Sequence, residues 1–168
     1  SDLTSQILNR LQSKFKNIKL MKPRIKSNNA GSSFVEMILN VNLTNFHYIA
    51  YSDQDDIWFH NKINVAISKI LSSKASGYSS SVTSFWPNGK QKIISQSSKI
   101  RKFDFLFEGA GQGCTFIFPA KVFIKIKFFC SKNKKLINAF EFHDWLSYIL
   151  IRSWNKNWFF DETPSMLY

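Results

Sequence analysis

Tyr48-Ile49-Ala50-Tyr51 is a short apolar run that passes, with only Ser52 between, into Asp53-Gln54-Asp55-Asp56. The run reads as a buried strand. Three adjacent carboxylates repel one another, a cost that a bound cation would offset. In an open α/β sheet, ligands collect outside the carboxyl ends of the strands, which is where these carboxylates fall. The segments around them support such a sheet. Leu3, Ile7, Leu8, Leu11 and Phe15 recur at helical spacing, with Thr4 or Ser5 as cap. Phe34, Val35, Ile38 and Leu39 mark a second helix, and Ile63, Ile67, Ile70 and Leu71 a third. Ile18 to Met21 is a further strand candidate, and Pro23 to Gly31 a loop. Helix and strand thus alternate through the first half, the pattern of a three-layer α/β domain.

The second half is less regular. Residues 78 to 97 suggest β-structure around the turn Pro87-Asn88-Gly89. Cys114 to Phe118 reads as a buried strand, and Val122 to Phe129 and Phe140 to Arg152 as helices. With 168 residues, no internal repeat and no linker, a single domain over 1–168 is expected.

Composition narrows the function classes. The net charge of +12 and 16% aromatic content would suit a basic nucleic-acid-binding module. The lysines are scattered, however, no helix clusters them, and an acidic strand end would repel phosphate unless a metal intervened, so no nucleic acid is expected. Cys114 and Cys130 have no short metal spacing and read as reduced thiols of a cytoplasmic protein. No apolar run reaches the ~20 residues needed to span a bilayer, and a peripheral contact with the inner face of the plasma membrane is the furthest such expectation goes.

A hard divalent cation, Mg²⁺ or Mn²⁺, takes one or two carboxylates and fills its remaining positions with phosphate and water, which fits a nucleotide-diphosphate donor. The competing reading is an acidic turn capping the helix that starts near Asn61. Tyr48 to Trp58, followed by Asn61-Lys62-Ile63, resembles the metal-binding region of family 2 glycosyltransferases with a GT-A fold, in the branch of bacterial rhamnosyltransferase-like enzymes. The resemblance implies a metal-dependent, inverting transfer of a sugar, rhamnose or another hexose, from a nucleotide-diphosphate donor to a glycan or lipid-linked acceptor in surface-polysaccharide synthesis. It implies donor and metal roles for Asp53, the principal metal ligand in Asp55, and a place for Trp58 either at the acceptor side or as a core aromatic over the sheet edge. Asn29-Ala30-Gly31 matches a family turn beside the donor nucleotide. Arg24 and Lys26 are either diphosphate contacts or solvated loop charges.

A second acidic site opens the last helix, at Glu141-Phe142-His143-Asp144-Trp145. On a helix Glu141 and Asp144 would share one face. The bland alternative is a capping cluster favoured by the helix dipole. The segment resembles the family's acceptor-side motif, which implies Asp144 as general base and Trp145 beside the acceptor. Gly113-Cys114 is similar to a family pair entering the strand below that site, where glycine permits close approach. Both ends look cut relative to the family. No opening strand precedes Ser1, and the chain stops at Tyr168 before a histidine that often completes the metal site. A Rossmann-like fold lacking its first strand, weak donor binding and an apolar sheet edge prone to association are therefore expected. An inactive fragment or interaction domain is the alternative function.

Overall fold

The computed structural model describes residues 3–21, 29–95, 100–137 and 140–168. In chain order these form α1 (Thr4–Lys14), α2 (Ala30–Asn40), β1 (Tyr48–Ala50), β2 (Ile57–Trp58), α3 (Lys62–Ser73), β3 (Gly77–Ser80), β4 (Val82–Phe85), β5 (Gln91–Ile94), β6 (Ile117–Pro119), α4 (Ala120–Lys132), α5 (Lys134–Ile137), α6 (His143–Ser153), β7 (Trp158–Asp161) and β8 (Met166–Leu167).

The first sheet has the order β1-β6-β3-β7. Its β6 runs antiparallel to both β1 and β3, while β3 and β7 are parallel. The two-residue period of its strands sorts side chains between two cores. Phe116, Phe118 and Trp158 face α2, α4 and α6, packing with Phe34, Val35, Ile38, Phe123, Ile126 and Ile151. Ile117, Tyr78 and the partly buried Phe159 face α3, against Ala66 and Ile70. The result is helix, sheet, helix in three layers, the mixed α/β arrangement expected. Each fully buried Phe or Ile of these layers stabilises the fold by roughly 1.5–3 kcal/mol.

A second sheet, ordered β2-β8-β4-β5, grows out of the first. Beyond Ser81, β3 continues as β4, and β7 is followed by β8, so two neighbouring segments leave one sheet and enter the other side by side. A small core of Val82, Cys114 and Met166, flanked by Trp58 and Ile94, lies against this sheet. The β4–β5 hairpin turns at Trp86 to Gly89, where Gly89 takes φ 80° and its N–H donates to Trp86 O at 2.9 Å. Among the described residues, no helix is long and apolar enough to cross a membrane.

Several local expectations change. Ile18 to Met21 pairs with no strand among the described residues; the chain there makes only a turn, Ile18 N donating to Phe15 O. The first helix begins with Leu3 at its cap position, so Thr4 and Ser5 lie inside it, and α1 buries none of its residues. Residues 113–115 form a 3₁₀ turn rather than a strand, leaving β6 to start at Ile117. The last helix starts at His143 with Phe142 at its cap, so Glu141 is outside it and does not share a helix face with Asp144. Arg24, Lys26, most of the 23–31 loop and residues 96–97 of the expected β-region lie outside the described residues.

Candidate functional site

The acidic loop is tied to the last helix by the residue that precedes it. Tyr51, 4% exposed, continues β1 by donating its N–H to Phe116 O at 3.0 Å. Its hydroxyl meets Ser147 Oγ on α6 at 2.9 Å, and Ser147 Oγ also reaches His143 O at 2.8 Å. Burial, opposed by the bond to Ser147, pushes the Tyr51 phenol well above its ordinary range, so it stays neutral. The His143 ring lies flat on Phe34 of α2, with centroids 3.8 Å apart and 2° between planes, and edge-on to Tyr51 at 5.1 Å. Burial lowers its pKa and so favours the neutral ring, while Asp144 opposes that shift. Its Nε2 is buried without a hydrogen-bond partner.

Two glycines let these parts meet. A Cβ on Gly113 would sit 2.8 Å from Asp144 Cβ, 3.1 Å from Asp144 Oδ2 and 3.2 Å from His143 Nε2. A Cβ on Gly31 would run into the carbonyl of Glu141. Gly31 is thus the point where the first turn of α2 packs against the segment leading into α6. Asn29 stands at the cap of α2, its Oδ1 accepting from Ser32 N at 2.8 Å. The expected turn at Asn29-Ala30-Gly31 is instead the start of this helix, with Ala30 and Gly31 in its first turn.

Asp53, Gln54, Asp55 and Asp56 line a cavity of about 610 Å³, together with Ala30, Ser84, Phe85, Trp86 and Tyr168. The carboxylates of Asp53 and Asp56 and the Cys114 thiol place ligand atoms within 4.8 Å of one another. Asp55 lines the same cavity but is exposed and lies outside that group. The pKa of Asp53 is raised, first by burial, then by Asp56, Asp55 and Asp144. The carboxylate of Asp144 is thus close enough to the loop to be felt by Asp53. Asp144 accepts from its own neighbour, Trp145 N, at 2.7 Å through Oδ1.

The residues present fit a hard divalent cation. Asp53 and Asp56 are close and mutually repelling, and Asp56 Oδ2 is buried with no hydrogen-bond partner. Cys114 fits such an ion poorly. Burial, with Asp56 adding to it, raises its thiol far above the usual range, so it stays protonated, and thiolate is the wrong ligand softness for Mg²⁺ or Mn²⁺.

Other expected residues fall around this centre in different ways. Trp58 does not line the cavity; it packs in the small core, where Lys62 Nζ stands 4.9 Å above its ring, as the core alternative had it. Trp145 donates Nε1–H to Phe105 O at 2.9 Å, fastening α6 to the 104–106 turn. Sequence reasoning passed over the other cavity wall, which the β4–β5 hairpin and the end of β8 supply. Tyr168 comes to it because its N–H donates to Thr83 O at 2.9 Å. Burial and then the carboxylates of Asp56, Asp53 and Asp55 raise the pKa of its phenol. The aromatic pair Phe85-Trp86 before a Pro-Asn-Gly turn was a readable signal; Tyr168 had none, since long-range pairing alone brings it here.

No family model matches the chain. The whole chain is similar to dTDP-rhamnosyl transferase RfbG of Shigella flexneri, with 36% identity over 169 residues, and it spans 58% of that protein's length.

Proposed function

We propose that this chain is the donor- and acceptor-binding part of a metal-dependent, inverting glycosyltransferase of family 2 with a GT-A fold, acting in surface-polysaccharide synthesis. The observation that carries the reading is the cavity lined by the Asp53–Asp56 loop, with Asp144 near enough to add to the raised pKa of Asp53 and its helix tied to the residue before the loop through Tyr51 and Ser147. Similarity to a transferase named for dTDP-rhamnose supports that donor as the first to test.

In this reading Asp53 anchors the cation, Asp55 joins it from the open side of the cavity, and Asp56 is the third carboxylate within reach. A bound Mg²⁺ or Mn²⁺ would neutralise charge developing on the departing diphosphate. Phe85, Trp86 and Tyr168 offer apolar faces to a base or sugar ring across from the carboxylates. Ala30, at the first turn of α2, brings backbone N–H groups and the positive end of a helix to the same cavity, a setting suited to phosphate. Asp144, with Oδ1 held by Trp145 N, keeps Oδ2 to take the proton of an acceptor hydroxyl as that oxygen attacks the anomeric carbon. The acceptor is a glycan or a lipid-linked one.

Asp144→Asn in the full-length protein tests the assignment, since it keeps shape but cannot take a proton. Transfer from dTDP-rhamnose falls by roughly 10²- to 10⁴-fold with donor affinity unchanged. Transfer within threefold of wild type would remove Asp144 from the mechanism. Separate Asn variants at 53, 55 and 56, titrated with Mn²⁺, rank the three carboxylates as ligands.

A further inference from the structure

Lys62 is 1% exposed, at the first position of α3, directly after the acidic loop and β2. An ammonium is seldom buried without a carboxylate partner. Lys62 makes no ion pair among the described residues, where Arg152–Asp104 is the one salt bridge. Its Nζ donates to Ser165 Oγ at 3.2 Å, touches Met166 Sδ at 3.8 Å and stands over the Trp58 ring at 4.9 Å. Ser165 Oγ is in turn held by Ser80 Oγ at 2.6 Å. These contacts fix the ammonium on the inner side of the small core, whose other members include Cys114, the neighbour of Asp53 and Asp56. Burial lowers the Lys62 pKa to about 8, and the Asp56 carboxylate opposes that shift and favours the charged lysine. A buried amine thus sits against the core that Cys114 shares, and Cys114 in turn adjoins the Asp53 and Asp56 carboxylates.

We propose that Lys62 is a positioning residue, an internal counter-charge that holds the Asp53–Asp56 loop in its binding shape before any cation arrives and moderates the affinity with which a cation is then held. The second half of the statement rests on the metal-dependent reading above; the first half does not. The two charges compete for the same carboxylates. With Lys62 in place the empty loop is less strained, so a cation gains less on binding, and a cation–diphosphate product leaves more readily. A neutral residue of the same length reverses both effects. Trp58 and Met166 form an apolar sleeve that Met at 62 can also occupy, so Lys62→Met removes the charge with little change in packing.

The test is made on the 168-residue chain. Urea unfolding in EDTA is measured for wild type, Lys62→Met, Asp56→Asn and the double variant. Lys62→Met is expected to lower stability in the wild-type background and to lower it less when Asp56 is already Asn. Additive effects would overturn the counter-charge, since a purely structural lysine would cost the same in both backgrounds. If Lys62→Met alone does not fold, the double variant should; failure of both overturns the proposal as well. Mn²⁺ titration of the same proteins forms the second arm. Lys62→Met should bind Mn²⁺ more tightly, by on the order of tenfold, and Lys62→Arg should stay close to wild type because it keeps the charge. Unchanged or weaker Mn²⁺ binding by Lys62→Met overturns the moderating role. If wild type binds no Mn²⁺, the metal-dependent function fails by itself, and the EDTA comparison still decides whether Lys62 supports the loop.

Discussion

Two sets of buried or half-buried carboxylates in this molecule are built in opposite ways. Asp104 is 6% exposed and fully partnered: Arg152 NH2 at 3.4 Å, the Tyr148 hydroxyl at 3.0 Å, Arg101 N at 3.1 Å and Phe105 N at 2.8 Å. Asp53 and Asp56 have no ion pair among the described residues, lie against each other and Cys114, and leave one buried oxygen unbonded. The first arrangement uses a charge to fasten the 104–106 turn to α6. The second leaves charge unspent beside a cavity. A carboxylate with every lone pair occupied has no capacity for a ligand, whereas a repelling, unfilled group does. The two sets are thus separated by satisfaction rather than by burial.

Asp104→Ala gives the largest effect expected from this contrast. It strands Arg152 and the Tyr148 hydroxyl in the interior and should cost about 3–5 kcal/mol in urea unfolding, the same with and without Mn²⁺. A loss below about 1 kcal/mol would show that the network is ornamental. Next in size is Gly113→Ala, whose Cβ would press on Asp144 and His143 and should cost about 1–3 kcal/mol while also weakening transfer. A variant with wild-type stability and transfer would mean that the two acidic segments are not held in register there.

The smallest effect has the opposite sign. The raised pKa of Asp53 means that the folded state binds its proton more tightly than the unfolded chain does. The stability this contributes is complete below the unfolded pKa and is lost as pH rises through the folded one. In EDTA, Asp53→Asn should therefore unfold at equal or higher urea than wild type at neutral pH, and flatten the pH dependence on the acidic side. Destabilisation at neutral pH would place Asp53 with Asp104, as a structural acid.

Much of this was legible before the structure because it is local. Strand Tyr48 to Tyr51, the helices around Phe34, Ile63, Val122 and Leu146, and the acid loop follow from period and charge in short windows. What was not legible depends on distant pairing. Tyr168 reaches the cavity through β8 and β4, and Lys62 is buried by Ser165 and Met166, a hundred residues away in sequence. The apolar spacing of α1 was equally readable, yet Ile7 and Leu8 stay exposed, since a pattern shows which face seeks cover and not what covers it. Likewise Cys114 to Phe118 reads as strand by apolar content, but its first two residues turn, because Thr115 Oγ1 and N–H both bond back to Gln112 O. Asp56, whose Oδ2 is buried without a partner, did not stand out for a simpler reason: among three adjacent acids, spacing alone does not say which oxygen lacks one.

In the proposed function the acidic loop, with its unpartnered buried oxygen, takes a divalent cation and a nucleotide diphosphate. Calorimetric titration of Mn²⁺ into the chain, with and without dTDP, tests it most directly. Wild type should bind one Mn²⁺ saturably and more tightly when dTDP is present, and Asp53→Asn should abolish both, while Asp104→Asn, where it folds, should change neither. Binding that persists in Asp53→Asn, or no Mn²⁺ binding under either condition, would contradict the account.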